Sequence, residues 1–222
     1  MTYPFEVVIS SLPYVLGGAM VTIGIVVGAM ALGLFIGIPL ALIQVYGNRL
    51  IKYVADVYVW FFRGVPVLVL LFLFYFGLFS LIDLNITAFW AAVLVLGLRG
   101  GAYQSQIFRG SILSIPDGQL KAAEALGMTN WQGIVYIILP QAIRIALPGW
   151  SNEYSIVLKD SAIAFVLGTS EIMSRTHFVA SRTYEQLPMY ICAGCIYFVL
   201  TWIGVFFLRR FENKLKIPGY ST

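Results

Sequence analysis

The sequence predicts an all-α integral membrane protein with five transmembrane helices. Three observations predict it: 60% of the 222 residues are hydrophobic, only 11% are charged, and no charge occurs between Leu12 and Val45. Soluble domains carry about 25% charged residues, and a bilayer-spanning helix takes about 20 apolar residues. The composition therefore excludes a soluble enzyme, a nucleic-acid module and extended disorder, and it leaves room for short loops only.

Polar breaks separate the apolar segments and set the predicted spans. Asn48 to Lys52 interrupts the first hydrophobic run, and Asp83 to Asn85 closes the second. A less apolar stretch, 115–137, contains turn residues followed by helix-favouring residues, which predicts two short helices outside the hydrocarbon. The predicted spans, all within one transmembrane domain of residues 1–222, are 17–45, 54–80, 87–108, 146–167 and 188–208.

Glycines in the first span predict close helix packing. Gly24 and Gly28 form one pair with small-residue spacing, and Gly33 and Gly37 form another. At 100° per residue the two pairs lie on nearly opposite faces, so we expect a neighbouring helix on each side.

The distribution of Lys and Arg predicts that the N-terminus is outside and the C-terminus cytoplasmic, because cytoplasmic loops are enriched in basic residues. With this orientation only Arg175 and Arg182 lie in the outer segments. The basic residues of the cytoplasmic segments are Arg49, Lys52, Arg109, Lys121, Arg144, Arg209, Arg210, Lys214 and Lys216. The cationic end of the chain is then a solvated tail or a contact for acidic lipids.

A long motif lies in the predicted cytoplasmic stretch. Lys121-Ala122-Ala123 is followed after three residues by Gly127, and after nine more by Ile137-x-Leu139-Pro140. This pattern resembles the signature of membrane subunits of binding-protein-dependent ABC importers, and it is most similar to their polar amino-acid permease branch. Further similar segments are Arg63-Gly64-Val65-Pro66, Ala102-Tyr103, Arg109-Gly110, Asn152-Glu153 and Lys159-Asp160-Ser161-Ala162.

The resemblance implies the type I importer permease fold and a cytoplasmic coupling helix that docks on a separate ATPase. The residues implied in coupling are Lys121, Ala122, Ala123, Glu124, Gly127 and Met128. Four positions depart from the family pattern: Lys121 replaces a Glu, Val65 a Thr, Leu70 a Gln and Gln106 a Glu. These differences weaken any transfer of substrate identity from one relative.

Charged side chains within the predicted spans are candidates for a substrate pathway, because ionised groups are costly in hydrocarbon. Glu153 and Asp160 are two helical turns apart and share a face. Their carboxylates can bind the ammonium group of a substrate, and Arg99 can bind the substrate's carboxylate with two hydrogen bonds. Along the helices, Arg99 is predicted about 14 Å and Asp160 about 21 Å from the cytoplasmic end. The candidate pathway residues are Arg63, Arg99, Asn152, Glu153, Lys159 and Asp160. The alternative is mutual neutralisation, with Arg63 or Arg99 paired to Glu153 and Lys159 near Asp160.

The sequence contains no phosphate-binding loop of the form G-x-x-x-x-G-K-[ST], so we expect ATP and Mg²⁺ on a partner and no cofactor, metal or catalytic residue on this chain. The resemblance implies a multi-pass subunit of the inner membrane that imports polar amino acids by alternating access. The partners it implies are two ATPase subunits, a second permease copy or close homologue, an extracytoplasmic binding protein and membrane lipid. The alternatives are an ion-gradient-driven transporter that uses Glu153 and Asp160 as coupling sites, an intramembrane enzyme, and a channel.

Overall fold

The computed structural model describes residues 4–215, which form helices joined by short connections. Lys216, at the end of the predicted cationic tail, lies outside this range. In chain order the described helices are α1 (Pro4–Leu16), α2 (Ala19–Tyr46), α3 (Arg49–Gly64), α4 (Val67–Leu81), α5 (Ala88–Leu113), α6 (Gly118–Ala125), α7 (Asn130–Leu167), α8 (Ile172–Thr183) and α9 (Gln186–Leu215).

The centre of the bundle is the parallel pair of α2 and α5. A side chain at Gly28 would collide with Val93, and one at Gly37 would collide with the backbone of Ser105, so glycine is what allows this approach. Gly24 and Gly33 also face α5. The expectation of a neighbour on each side is therefore wrong, because one helix, α5, meets both glycine pairs.

The predicted second span, 54–80, is two helices and not one. α3 and α4 meet at an angle of 107°. Val65 adopts extended backbone between them, and Pro66 precedes the first residue of α4. Proline disfavours helical backbone in the residue before it, which explains where the helix breaks.

The helix that contains the predicted fourth span, 146–167, starts 16 residues before it, at Asn130. Thr129 and Gln132 form a reciprocal capping box at this start. A π-helical stretch, Ile134–Ile138, precedes Pro140 and lets the helix continue. The second of the two short helices expected in 115–137 is therefore the first part of α7. Gly168, in left-handed backbone at φ 84°, ends this helix.

Length and hydropathy alone identify three described helices able to cross a membrane, α2, α7 and α9, and the bent pair α3–α4 is a fourth candidate. The connectivity adds α5. Arg175 of α8 donates a hydrogen bond to the Tyr14 carbonyl of α1, so α1 and α8 lie at the same end of the bundle. Because α6 lies at the other end of α7, the number of crossings between α1 and α6 is odd, and α5, which packs parallel to α2 from Gly24 to Gly37, is the third.

The outer end is held by a buried carboxylate. Glu171 is fully buried and accepts hydrogen bonds from the backbone N–H groups of Met173 and Ser174, which caps α8. Tyr197 of α9 donates to the same carboxylate at 2.6 Å, and Thr22 of α2 accepts from the Ile172 N–H. These bonds fix α8 to two of the spans.

Candidate functional site

The candidate site is centred on an ion pair between two helices. Arg99 of α5 and Asp160 of α7 contact each other through Nη1 and Oδ2 at 2.6 Å, with 14% and 21% of the side chains exposed. This is the one Lys or Arg ion pair among residues 4–215. α5 continues to Leu113, five residues farther than predicted, which places Arg99 about 21 Å from its cytoplasmic end.

Tyr103 lies between the two arginines of the site. The Arg99 guanidinium carbon is 4.6 Å from the centre of the Tyr103 ring, and that of Arg63 is 5.1 Å from it. An aromatic face attracts a cation. The Tyr103 ring therefore lets the two guanidinium groups lie close together without a carboxylate between them. Tyr103 was not among the predicted pathway residues, although its position one helical turn after Arg99 places it on the same face of α5.

Glu153 is a buried acceptor whose hydrogen bonding is incomplete. The side chain is 2% exposed, and its Oε1 atom has no hydrogen-bond partner among the described residues. Leaving a buried acceptor unpaired costs about 1–3 kcal/mol. Its helix also carries Asn152 and Lys159, both exposed. The structure therefore pairs Asp160, and not Glu153, with an arginine.

The face that contains these groups is open on the surface of the single chain. Arg63, Asn152 and Lys159 are exposed, while Arg99 and Asp160 are partly exposed. Charged groups at this depth do not face lipid without a large free-energy cost. The open face therefore fits a water-filled cavity or the surface of another subunit, and it presents both positive and negative groups to a small ligand.

The predicted coupling segment forms a separate surface at the other end of α5. Lys121, Ala122, Glu124 and Gly127 are exposed, whereas Ala123 packs inward and Met128 is half-buried. Gly127 adopts φ 87° and ends α6, as the bend predicted from its sequence position requires.

Two contacts fix α6 against the bundle. Gln141 of α7 donates a hydrogen bond to Gln119 of α6 at 2.6 Å, and Leu120 and Ala123 pack where Gly133 lacks a side chain. A cavity of about 290 Å³ lies between α6 and the ends of α2 and α5, and Val45, Tyr46, Lys121 and Glu124 help to line it. These contacts connect α6 to the start of α7.

A helical membrane bundle with a mixed-charge face and an exposed helix at its cytoplasmic end is the architecture of a permease subunit. The chain belongs to the family described as "Binding-protein-dependent transport system inner membrane component", whose sequence model matches residues 33–217. The predicted family is thereby confirmed. The chain is a multi-pass inner-membrane permease subunit of the ABC importer type.

Curated relatives match almost the whole chain. The arginine transport system permease protein ArtQ of Bacillus subtilis is 38% identical over 216 residues, covering 97% of this chain and 99% of the relative. The glutamine transport system permease protein GlnP of Escherichia coli K12 is 33% identical over 218 residues, covering 98% and 100%.

Two solved structures share the fold. The crystal structure of an amino acid ABC transporter with histidines matches with a TM-score of 0.86 and 35% identity, over 96% of this chain and 100% of the other. An inward-facing structure of the MetNI methionine ABC transporter matches with a TM-score of 0.82 over 94% and 99%, but at 18% identity it shows the fold alone. The predicted type I importer permease fold is thereby confirmed.

Proposed function

We propose that this chain forms the membrane pathway of an ATP-driven importer that takes up polar amino acids from an extracytoplasmic binding protein. The observation that carries the proposal is the mixed-charge face around the Arg99–Asp160 pair. The relatives named for arginine and glutamine transport support the substrate class, and the family description supports delivery by a binding protein.

An amino acid carries one carboxylate and one ammonium group, and the site offers partners for both. The N–H groups of Arg63 and Arg99 not used by Asp160 bind the α-carboxylate, because guanidinium groups match the planar geometry of carboxylates. Asp160 and the unpaired oxygen of Glu153 accept from the ammonium. Asn152 and Lys159 line the open side and contact the substrate side chain.

The energy source is ATP on a separate subunit. The sequence has no phosphate-binding loop, and the exposed part of α6 provides a docking surface for an ATPase. Lys121, Ala122 and Glu124 contact that partner, and Gly127 and Met128 hold the bend that follows. The chain itself is not an enzyme and carries no cofactor; ATP and Mg²⁺ bind the partner.

The open charged face supports a second permease subunit, either a copy of this chain or a close homologue. Two such faces enclose a shared cavity and remove the charges from lipid. The pathway opens alternately to the two sides of the membrane. ATP shifts this equilibrium only if it binds one orientation of the complex better than the other.

The test is reconstitution of the permease in liposomes with its ATPase and binding protein, followed by uptake of a radiolabelled amino-acid panel. We expect uptake of a polar amino acid that requires ATP and stops with vanadate. Uptake that persists without the ATPase would instead establish the ion-gradient transporter, and ungated flux would establish a channel.

Site variants identify the residues that bind substrate. Arg99→Gln and Glu153→Gln are expected to lose most uptake while keeping the complex assembled. Arg144→Gln is a matched control, because Arg144 is exposed and lies on α7 outside the charged face. Full uptake by both site variants would remove the mixed-charge face from the pathway.

A further inference from the structure

A second polar group lies in the bundle, apart from the site already described. Gln44 of α2 donates a hydrogen bond to Oδ1 of Asp56 on α3 at 2.7 Å. Gln106 of α5 donates to the amide oxygen of Gln44 at 2.9 Å. Gln44 is 3% exposed, whereas Asp56 is exposed. These three residues, here named the exit group, join α2, α3 and α5.

The exit group lies on the same faces of α3 and α5 as residues of the mixed-charge site. Asp56 precedes Arg63 by seven residues on α3, and Gln106 follows Tyr103 by three residues on α5, so each pair shares a helix face. Seven residues correspond to about 10 Å along a helix. The shift is toward the cytoplasmic end, because Gln44 adjoins Val45, which lines the cavity beside α6. The exit group therefore lies between the mixed-charge site and the cytoplasmic end of the helices.

The hydrogen bonds of the exit group run in one direction. Gln106 donates to Gln44, and Gln44 donates to Asp56, so the buried amides point their N–H dipoles toward the carboxylate. Among residues 4–215, no Lys or Arg nitrogen lies within 4.0 Å of this carboxylate, and its Oδ2 accepts no hydrogen bond. Asp56 therefore presents a negative acceptor atom with no positive partner.

We propose that Asp56 is a second binding site for the ammonium or guanidinium group of the transported amino acid, used as the solute leaves toward the cytoplasm. The inference rests on the proposed function and adds a subsite to it. Charge-assisted hydrogen bonds to a carboxylate are about twice as strong as neutral ones, so this site receives the cation after it leaves Glu153 and Asp160. Gln44 and Gln106 position the carboxylate and do not bind the solute.

The alternative role of the exit group is a structural connection among three helices, and Asp56→Asn separates the two. Asparagine keeps the oxygen that accepts from Gln44 but loses the negative charge. In the reconstituted importer, with arginine as the labelled probe, Asp56→Asn is expected to lower uptake about tenfold, the effect of losing one hydrogen bond to a charged group. Asp56→Glu keeps the charge and is expected to retain most uptake. Unchanged uptake in Asp56→Asn, or equal loss in Asp56→Glu, would overturn the proposal.

Cysteine labelling tests whether position 56 faces the pathway. Both native cysteines, Cys192 and Cys195, are first replaced by alanine in the full complex. Asp56→Cys is expected to react with a charged thiosulfonate reagent added from the cytoplasmic side. Val57→Cys is the control: Val57 is exposed on the next face of α3 and is expected to react much more slowly. An unreactive Asp56→Cys contradicts the subsite.

The two proposals fail in different ways. Absence of ATP-dependent uptake by the wild-type complex would overturn the proposed function. ATP-dependent uptake by the wild type, with no loss in Asp56→Asn, would leave that function intact and remove only the exit subsite.

Discussion

At the scale of single residues, opposite charges and one aromatic ring determine the arrangement of the site. Arg99 uses one nitrogen for Asp160 and places its guanidinium against Tyr103. Arg63 lies 5.1 Å from the centre of the same ring and has no ion pair of its own among residues 4–215. The sequence showed that these charges belong inside the bundle, but pairing depends on the relative heights of α5 and α7, which spacing within one helix does not determine.

Neutralising Asp160 is expected to destabilise the permease. Asp160→Asn leaves Arg99, which is 14% exposed, without its counter-charge, and losing a hydrogen bond between charged groups costs about 2 kcal/mol. Thermal unfolding of the purified permease in nanodiscs measures the effect. Asp117→Asn is the control, because Asp117 is exposed and makes no ion pair among residues 4–215. Equal melting temperatures of wild type and Asp160→Asn would contradict the structural importance of the pair.

At the scale of elements, backbone constraints at the helix ends determine where α4 begins and where α6 ends. Pro66 breaks the second span, and Gly127 ends α6 in left-handed backbone. Both positions were visible in the sequence as turn-forming residues. The fourth span was predicted to begin at 146, after Pro140, but its helix begins at Asn130, where Thr129 and Gln132 form a capping box.

Gly127→Ala is expected to weaken docking of the ATPase. Nothing lies within 4 Å of a Cβ at this position, so the effect comes from φ 87° and not from a collision. Left-handed backbone costs a residue with a side chain about 1–2 kcal/mol, which corresponds to about a tenfold weaker Kd. Gly118→Ala is the matched control, because it also has free space but ordinary backbone. Equal ATPase affinity for both variants would show that the bend of α6 does not matter.

The buried carboxyl group of Glu171, at the outer end of the bundle, is expected to make the stability of the protein depend on pH. Burial raises the pKa of Glu171, although its hydrogen bonds from Tyr197, Met173 and Ser174 partly oppose the change. A raised pKa means that the folded state binds the proton more tightly, so this contribution to stability is present at acidic pH and lost as pH rises through the raised pKa. As pH rises through the raised pKa, the melting temperature of the wild type is expected to fall relative to that of Glu171→Gln. A constant difference between the two proteins across the titration would contradict the assignment.

At the scale of the whole molecule, connectivity determines the number of crossings. The polar residues of α5 lower its hydropathy, so α5 is absent from the helices that composition alone assigns to the membrane. Its Gln104 is fully buried and accepts a hydrogen bond from Trp150 of α7. With α2 and the α3–α4 pair as crossings, contact between α1 and α8, with α6 at the opposite end of α7, makes α5 a third crossing of the bilayer.

Cysteine labelling in intact cells tests this topology. In the Cys192→Ala/Cys195→Ala background, Ser10→Cys in α1 and Ser181→Cys in α8 are expected to react with a membrane-impermeant reagent from outside. Ala125→Cys, at the exposed end of α6, is expected to react only after the cells are opened. Labelling of positions 10 and 125 from the same side would mean an even number of crossings between them and would exclude α5 as a span.

The sequence by itself determined the membrane location and the family, and it predicted the coupling motif and the charged residues of the spans, because each follows from composition or from spacing along the chain. Only the tertiary structure decided that Asp160 pairs with Arg99, that Tyr103 lies between two arginines, and that Gln44, Asp56 and Gln106 form a group. The physical reason is that these contacts join residues far apart in the chain. Whether they form depends on the crossing angles, bends and relative heights of the helices. Those angles and heights are set by the glycine contacts of α2, by the break at Pro66 and by the additional length of α5.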